Sequence, residues 1–303
     1  MSLEFKKNNY FLDVEKSLLE KSWLKRRSDK RLALNISQKY SLSNFASNLI
    51  SSRSIKIDDI KRFLEPTLDV YLPDPFIFND MEKATKRVFK AIKNKEQIAI
   101  LGDYDVDGIA SVVLLKKYLK IFNIDTFTYI PNRITEGYGP NKQAIDKIKN
   151  KKNTLLIMVD CGTNSHEIIS YTIKKGIDVI IIDHHKSNEK HSNLLSFINP
   201  NSIFDRSGYN FLCSTGLTFI FINTLHRLFK SNEPSFENKI NLLLFLDLVA
   251  LATVCDVVPL IDINRAFVFQ GLKILSKRNN IGLKTLSDEC KLNKKPDEED
   301  LGF

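Results

Sequence analysis

Three short apolar runs in this chain each end in side chains that bind cations. Ile98–Leu101 leads into Gly102-Asp103-Tyr104-Asp105-Val106-Asp107-Gly108. Thr154–Val159 leads into Asp160-Cys161-Gly162, and Asp178–Ile182 into Asp183-His184-His185. Carboxylate and imidazole make poor core, so their repeated place after apolar runs asks for another explanation. Open parallel sheets bind ligands at the carboxyl ends of their strands. Three such ends with metal-type donors predict one shared site for divalent cations.

Asp103, Asp105 and Asp107 alternate, so in extended geometry their side chains share a side. Gly102 and Gly108 permit the tight backbone that gathers them. A helix cap would account for Asp107 alone, ahead of a helix over Ile109–Phe122. The Asp-x-Asp-x-Asp-Gly run also matches the first half of an EF-hand, but the required twelfth-position Glu falls on Leu114. The flanks there read strand and helix, whereas an EF-hand needs two helices. Imidazole favours manganese or zinc over magnesium or calcium. A strand points consecutive side chains in opposite directions, so one of His184 and His185 is the direct ligand unless the chain turns. Asp256 follows an apolar helix and sits between Cys255 and Val257-Val258, a setting in which a carboxylate needs a partner. Asp247, on the same helix, is its rival.

The elements that must position these residues alternate. The spacing predicts strands at Gln97–Leu101, Thr126–Ile130, Thr154–Val159 and Asp178–Ile182, with a short strand near Phe197. Helices are expected at Ile109–Phe122, Lys142–Asn150 and Glu167–Lys175, which argues for an α/β fold with a parallel β-sheet flanked by helices. Two longer apolar helices, Thr215–Phe229 and Asn238–Ala252, follow. Upstream, Leu42–Ile50, Ile57–Leu64 and Asp80–Lys93 have helical spacing. The expected organisation is a helical N-terminal region over 1–75, the sheet domain over 76–275, and an exposed polar connector beginning in 276–303.

At this point the chain resembles the DHH phosphoesterase superfamily, and within it the bacterial single-strand-specific exonucleases. The resemblance runs from about Phe63 to Phe303. It is carried by Asp80-Met81-Glu82-Lys83-Ala84, the Gly102–Gly108 loop, Pro131-Asn132-Arg133 with Glu136-Gly137-Tyr138-Gly139, and Val159–Gly162. It continues through Ile182–His185, Ile198-Asn199-Pro200, Leu212-Cys213, Leu248-Val249-Ala250 and Val254–Leu260. The resemblance implies that Asp105, Asp107, Asp160, His184 and Asp256 hold two divalent cations, manganese or else magnesium, with Asp103 close by. It favours His184 as the ligand, places His185 toward the scissile phosphate or its attacking water, and leaves Asp247 a structural hydrogen-bonder. Such an ion pair bridges a phosphate and lowers the pKa of a water, so in-line hydrolysis of a phosphodiester is expected, with no covalent nucleophile. Arg133 is expected in the pocket for the strand's 5′ phosphate, where its planar fork suits the anion; the bland alternative is a surface pair with Glu136.

The implied function is 5′→3′ degradation of single-stranded DNA in repair and recombination. A phosphatase or nano-RNase acting on short oligonucleotides or cyclic dinucleotides is the alternative within the superfamily. Those relatives carry a His four residues before the aspartate matching Asp105, and here that position is Leu101. The family's longer members continue beyond the Asp300-Leu301-Gly302-Phe303 segment into a second cleft domain and an OB-like module. A separately encoded C-terminal half, or an inactive truncated remnant, is therefore also an expectation.

Composition agrees without deciding. The 303 residues are 43% hydrophobic and 27% charged, with a net charge of +9. That charge suits a polyanionic partner, although scattered lysines also serve solubility. No apolar run reaches a membrane span, and Met1–Lys7 lacks the core of a signal peptide, so a cytoplasmic protein without a membrane partner is expected. The four cysteines have no metal-finger spacing; Cys161 and Cys255 adjoin motif aspartates and are expected to pack rather than react.

Overall fold

The computed structural model describes residues 10–302 apart from 25, 54, 151–153, 190 and 234–239. It divides into two compact units, Met1–Glu65 and Pro66–Phe303. In the first, helices α1 (Lys30–Tyr40), α2 (Asn44–Ser51) and α3 (Ile60–Leu64) enclose a small core of Ile36, Ile50 and Ile60. Asp29 caps α1 by accepting from the Arg31 and Leu32 amides, and Ser43 caps α2 through Ala46. These caps satisfy amides that a helix start leaves without partners.

The second unit carries the sheet. Its elements are α4 (Leu68–Tyr71), α5 (Met81–Lys93), β1 (Ile98–Gly102), α6 (Val106–Lys120), β2 (Phe127–Tyr129), α7 (Lys142–Asn150), β3 (Leu155–Val159), α8 (His166–Lys174), β4 (Asp178–Ile182) and β5 (Ser196–Ile198). Then follow α9 (Ser214–Asn232), α10 (Leu246–Cys255), α11 (Asp262–Leu275), α12 (Ile281–Glu289) and α13 (Glu298–Gly302). All strands are parallel, in the order β2-β1-β3-β4-β5. Side chains alternate across the sheet. Ile98, Ile100, Ile157 and Ile180 face the layer containing α5, α6, α9 and α10, whereas Ala99, Leu101, Met158 and Ile181 face α7 and α8. Strand β1 feeds a helix on one face and β3 a helix on the other. The crevice between their carboxyl ends is therefore a topological switch point, where such sheets bind ligands.

Asp80 lies just before α5 in left-handed conformation (φ 58°), not within the helix as the spacing suggested. Its carboxylate accepts the Phe197 amide at 3.0 Å, tying α5 to the edge strand β5. The alternating pattern did not lead to α11, whose Ile263, Ala266, Phe267 and Leu275 are buried. A Cβ on Gly271 would lie 2.2 Å from the Leu246 carbonyl oxygen, so glycine lets α11 cross against α10. The expected connector is in part helical: Lys284–Glu289 belongs to α12, no residue of which is buried. No helix among the described residues is long and apolar enough to cross a membrane.

Candidate metal centre

The register of the sheet builds the site. Gly102 pairs with Val159, Val159 with Ile182, and Ile182 with Ile198. The next residues along each strand, Asp103, Asp160, Asp183 and Asn199, therefore leave the sheet side by side. Helix α6 begins directly after β1 because Asp105 caps it, accepting the Gly108 amide at 2.9 Å. The helix thus begins at Val106 rather than at Ile109 as expected, and the bland reading of Asp107 as its cap does not hold, because Asp105 takes that place. Asp107 instead lies in the first turn of α6 and accepts two amides from another helix start, Ser214 (2.7 Å) and Thr215 (2.8 Å) of α9. A helix N-terminus favours a carboxylate. The turn is tight: a Cβ on Gly108 would lie 2.5 Å from the Asp103 carbonyl oxygen.

His184 is the hub. Its Nε2 lies 3.3 Å from Asp160 Oδ1 and 3.8 Å from Asp107 Oδ2, and its Nδ1 is 3.6 Å from Asp256 Oδ2. Three overlapping groups have ligand atoms within 4.8 Å of one another: Asp107-His184-Asp256, Asp160-His184-His185 and Asp103-Asp105-Asp160. The five expected metal residues, with Asp103 and His185, thus come together around Asp160 and His184. Asp160 has a left-handed backbone (φ 58°), a conformation found at functional sites more than elsewhere. Asp247 stands apart; it accepts the Leu248 amide at the start of α10.

The donors fit a cation. Asp103 Oδ1, Asp160 Oδ2 and Asp256 Oδ2 are buried without a hydrogen-bond partner. Burial, then the charges of Asp107 and Asp105, pushes the Asp160 carboxyl far above 3.8. Burial and the same two aspartates push Asp256 up to about 6, against the opposing pull of His184. Buried carboxylates so crowded need positive charge or a proton.

Asp183 plays a different part. Its Oδ1 is 2.7 Å from His185 Nδ1 and accepts the His184 amide at 2.7 Å, while Oδ2 accepts the Thr163 amide at 3.1 Å. Burial alone would raise this carboxyl, but these bonds and both histidines outweigh it and hold it below 3.8. The bond to Asp183 in turn raises His185 above 6.5 against its own burial. Tyr138 meets the same ring edge-on, its hydroxyl 3.4 Å from Nδ1 and 3.2 Å from Nε2.

Arg133 lies outside these clusters. Its guanidinium sits 5.2 Å from the Tyr104 ring centroid, Tyr104 meets Tyr138 edge-on at 6.4 Å, and Tyr138 meets His185 at 5.7 Å. Glu136 is engaged elsewhere, by the Asn132 amide and the Tyr129 hydroxyl, so the surface pair with Arg133 does not form. Cys161 and Cys213 are fully buried, and burial pushes both thiols up, away from the reactive thiolate. Sequence reasoning missed Ser214 and Thr215. The Ser214 hydroxyl donates to Asp160 Oδ1 at 3.0 Å, and that of Thr215 to the Asp107 carbonyl at 2.9 Å. Their signal was a small polar pair at the start of a long apolar helix, where free amides await an anion.

A parallel sheet with acidic and histidine side chains gathered at a switch point defines an α/β protein with a candidate cation site. The model of the DHH family, N-terminal domain, matches residues 97–253. The chain belongs to the DHH family, and its likeness within that family is to RecJ. It is 31% identical over 264 residues to the single-stranded-DNA-specific exonuclease RecJ of Bacillus subtilis, covering 87% of this chain and 32% of the relative. It thus spans about a third of that protein's length. A crystal structure of exonuclease RecJ bound to manganese matches with TM-score 0.64 and 25% identity, over 75% of this chain and 55% of that one. RecJ of Thermus thermophilus in complex with Mn2+ shares the fold, with TM-score 0.71 and 22% identity over 91% of this chain and 38% of that one.

Proposed function

We propose that this chain is the catalytic part of a metal-dependent nuclease that hydrolyses phosphodiester bonds in single-stranded DNA from the 5′ end, in repair and recombination. The observation that carries the reading is the convergence of Asp107, Asp160, His184 and Asp256, with buried carboxylate oxygens left unpaired. The RecJ relatives supply the substrate class. In this reading Asp105, Asp107, Asp160, His184 and Asp256 hold two divalent cations, Mn2+ or Mg2+. Bound there, the ions supply Lewis-acid charge at the phosphate and ease deprotonation of a water.

The chain's own residues do the rest. Asp183 fixes the tautomer of His185 by accepting from Nδ1, which leaves Nε2 as the acceptor of the ring. That arrangement lets His185 face the scissile phosphate. Asp103, buried and raised above 3.8 by burial and by Asp105, is placed to take a proton beside the first strand end. Arg133, stacked on Tyr104, is free to present its fork to a terminal phosphate. Leu101 is fully buried in the apolar layer beneath the site and offers no ligand, which sets the chain apart from the phosphatase and nano-RNase pattern.

The test is a time course with 5′-labelled single-stranded DNA, an RNA dinucleotide and a cyclic dinucleotide, each with Mn2+. Cleavage of the DNA that His184→Ala removes is the expected result. Cleavage of the dinucleotides alone would overturn the substrate assignment.

A further inference from the structure

Helix α10 ends in a way its sequence should resist. Asp256 closes the helix, and Val257 follows in left-handed conformation (φ 55°), its amide donating to the Val254 carbonyl at 3.0 Å. Glycine is the usual residue there because it has no Cβ to clash. A β-branched residue in that region is a genuine outlier and costs about 1–2 kcal/mol. Packing does not repay the cost, because Val257 is 86% exposed. Helix geometry does not require it either, since glycine would end α10 equally well. A local rule broken without internal compensation, beside a cluster of metal-type ligands, is grounds for a functional hypothesis at that position.

Its surroundings say what that function is. Val257 is joined directly to Asp256, whose carboxylate faces His184. Val106 and Ile109, in the first turn of α6, are half-exposed and flank Asp107 on the same helix. Asp107 and Asp256 belong to one ligand group with His184, so the exposed turn that follows Asp256 borders that centre. No lysine or arginine lies between Cys255 and Ile263 in the chain, so this rim does not suit a phosphate. A nucleotide whose phosphate sits at the metal centre carries its apolar base one sugar away. In a single strand that base is unpaired and has a free face.

We propose that Val257 is a base-contact residue: it packs against the unstacked base of the nucleotide at the metal centre and thereby favours single strands. The inference rests on the nuclease reading above. The left-handed turn aims the side chain outward while Asp256 stays turned toward His184. Bases share a flat apolar face, so the contact is indifferent to sequence, and an abasic nucleotide lacks it altogether.

The experiment compares Val257→Gly and Val257→Thr with the unaltered protein. Two labelled strands are used, a mixed-sequence oligodeoxynucleotide and one abasic at its first three positions. Cleavage is followed with Mn2+, and binding by fluorescence anisotropy in EDTA. Val257→Gly is expected to melt about 2–4 °C higher, as the strain is released. Its KM and dissociation constant for the mixed strand should rise about 5-fold with kcat held, while both stay unchanged for the abasic strand. Val257→Thr, which keeps the shape, should lie between. Equal losses on both strands would mean that the turn merely holds Asp256, and would overturn the proposal. So would no loss on either, including the case where the rim is covered by protein. Should cleavage be absent altogether, the nuclease reading fails, and the anisotropy difference between the strands decides the base contact separately.

Discussion

Replacing Asp160 with Asn should make the metal-free protein more stable and blunt its response to metal. Asp160 is 1% exposed, and its ligand atom lies within 4.8 Å of those of Asp103 and Asp105. Two unit charges at that separation repel by about 3.5 kcal/mol at an effective dielectric near 20. Proton linkage describes the alternative in which the carboxyl escapes that repulsion by holding a proton. The folded carboxyl stands far above 3.8, so at neutral pH the folded chain must hold a proton that the unfolded chain has released. Over the roughly three pH units from 3.8 to neutrality, that uptake costs about 4 kcal/mol. Asparagine abolishes the penalty. It still accepts from the Ser214 hydroxyl, and it tolerates the left-handed backbone. At about 2–3 °C per kcal/mol for a domain of this size, melting in EDTA at neutral pH should rise by about 6–12 °C. The sign with pH follows from a raised acid: the penalty is absent below 3.8 and grows with each pH unit above it until the folded carboxyl itself ionises. The gap between the two proteins should therefore close as pH falls toward about 4. Saturating Mn2+ should raise the melting temperature of the unaltered protein and move that of Asp160→Asn much less. Coincident melting in EDTA at neutral pH, or equal shifts with Mn2+, would refute the reasoning.

Other outcomes follow from the same geometry. His184→Ala should abolish cleavage while circular dichroism stays native; turnover at the original rate would remove His184 from the centre. Asp183→Asn should slow cleavage about 10–100-fold, the scale seen when a carboxylate that orients a histidine at a metal site is lost; steady-state kinetics that show kcat intact would contradict it. Gly108→Ala forces a Cβ into the Asp103 backbone and should weaken Mn2+ binding by calorimetry as well as lower stability by about 1–3 kcal/mol. At the opposite edge of the sheet, Arg87 binds Asp178 and Glu96, each at 2.7 Å. Burial pushes Glu96 up, but its bonds from Arg87 and Thr154 outweigh that and hold it below 4.5. Arg87→Ala should therefore cost about 1–3 kcal/mol in urea unfolding. Because a depressed acid loses its contribution as pH falls through its folded value, that cost should shrink below pH 4.5, with Mn2+ binding untouched throughout.

Much of the sheet was legible because each buried strand is a short apolar run stopped by a polar residue. Strand β4 and helix α7 fall where the pattern placed them. What the pattern does not carry is register. That Asp103, Asp160 and Asp183 emerge side by side depends on pairing between strands far apart in the chain, and only the coordinates show it. The division of labour in the Asp-His-His triplet was half visible. Alternation said that the two histidines diverge, and the structure adds that Asp183 spends its carboxylate on Thr163, His184 and His185. Ser214 and Thr215 were hard to assign for a physical reason: beyond a small polar pair at a helix start, half of their contribution is a pair of backbone amides, which any residue but proline possesses. Helix α11 was missed: it lies beyond the strand–helix alternation, and its buried residues Ile263, Ala266, Phe267 and Leu275 are interspersed with polar ones.

The in-register strand ends also govern how a chain of this kind can change. One residue inserted in β3 would advance Asp160 by about 3.3 Å and exchange the two faces of the strand. Its carboxylate would then leave the crevice, whatever its neighbours did. Lengthening at the amino edge, before Ile98, Leu155 or Asp178, leaves the aligned ends where they are. The sheet thus acts as a ruler with one graduated edge: across homologues, length should vary freely at one rim and hardly at all between each strand and the acid that follows it.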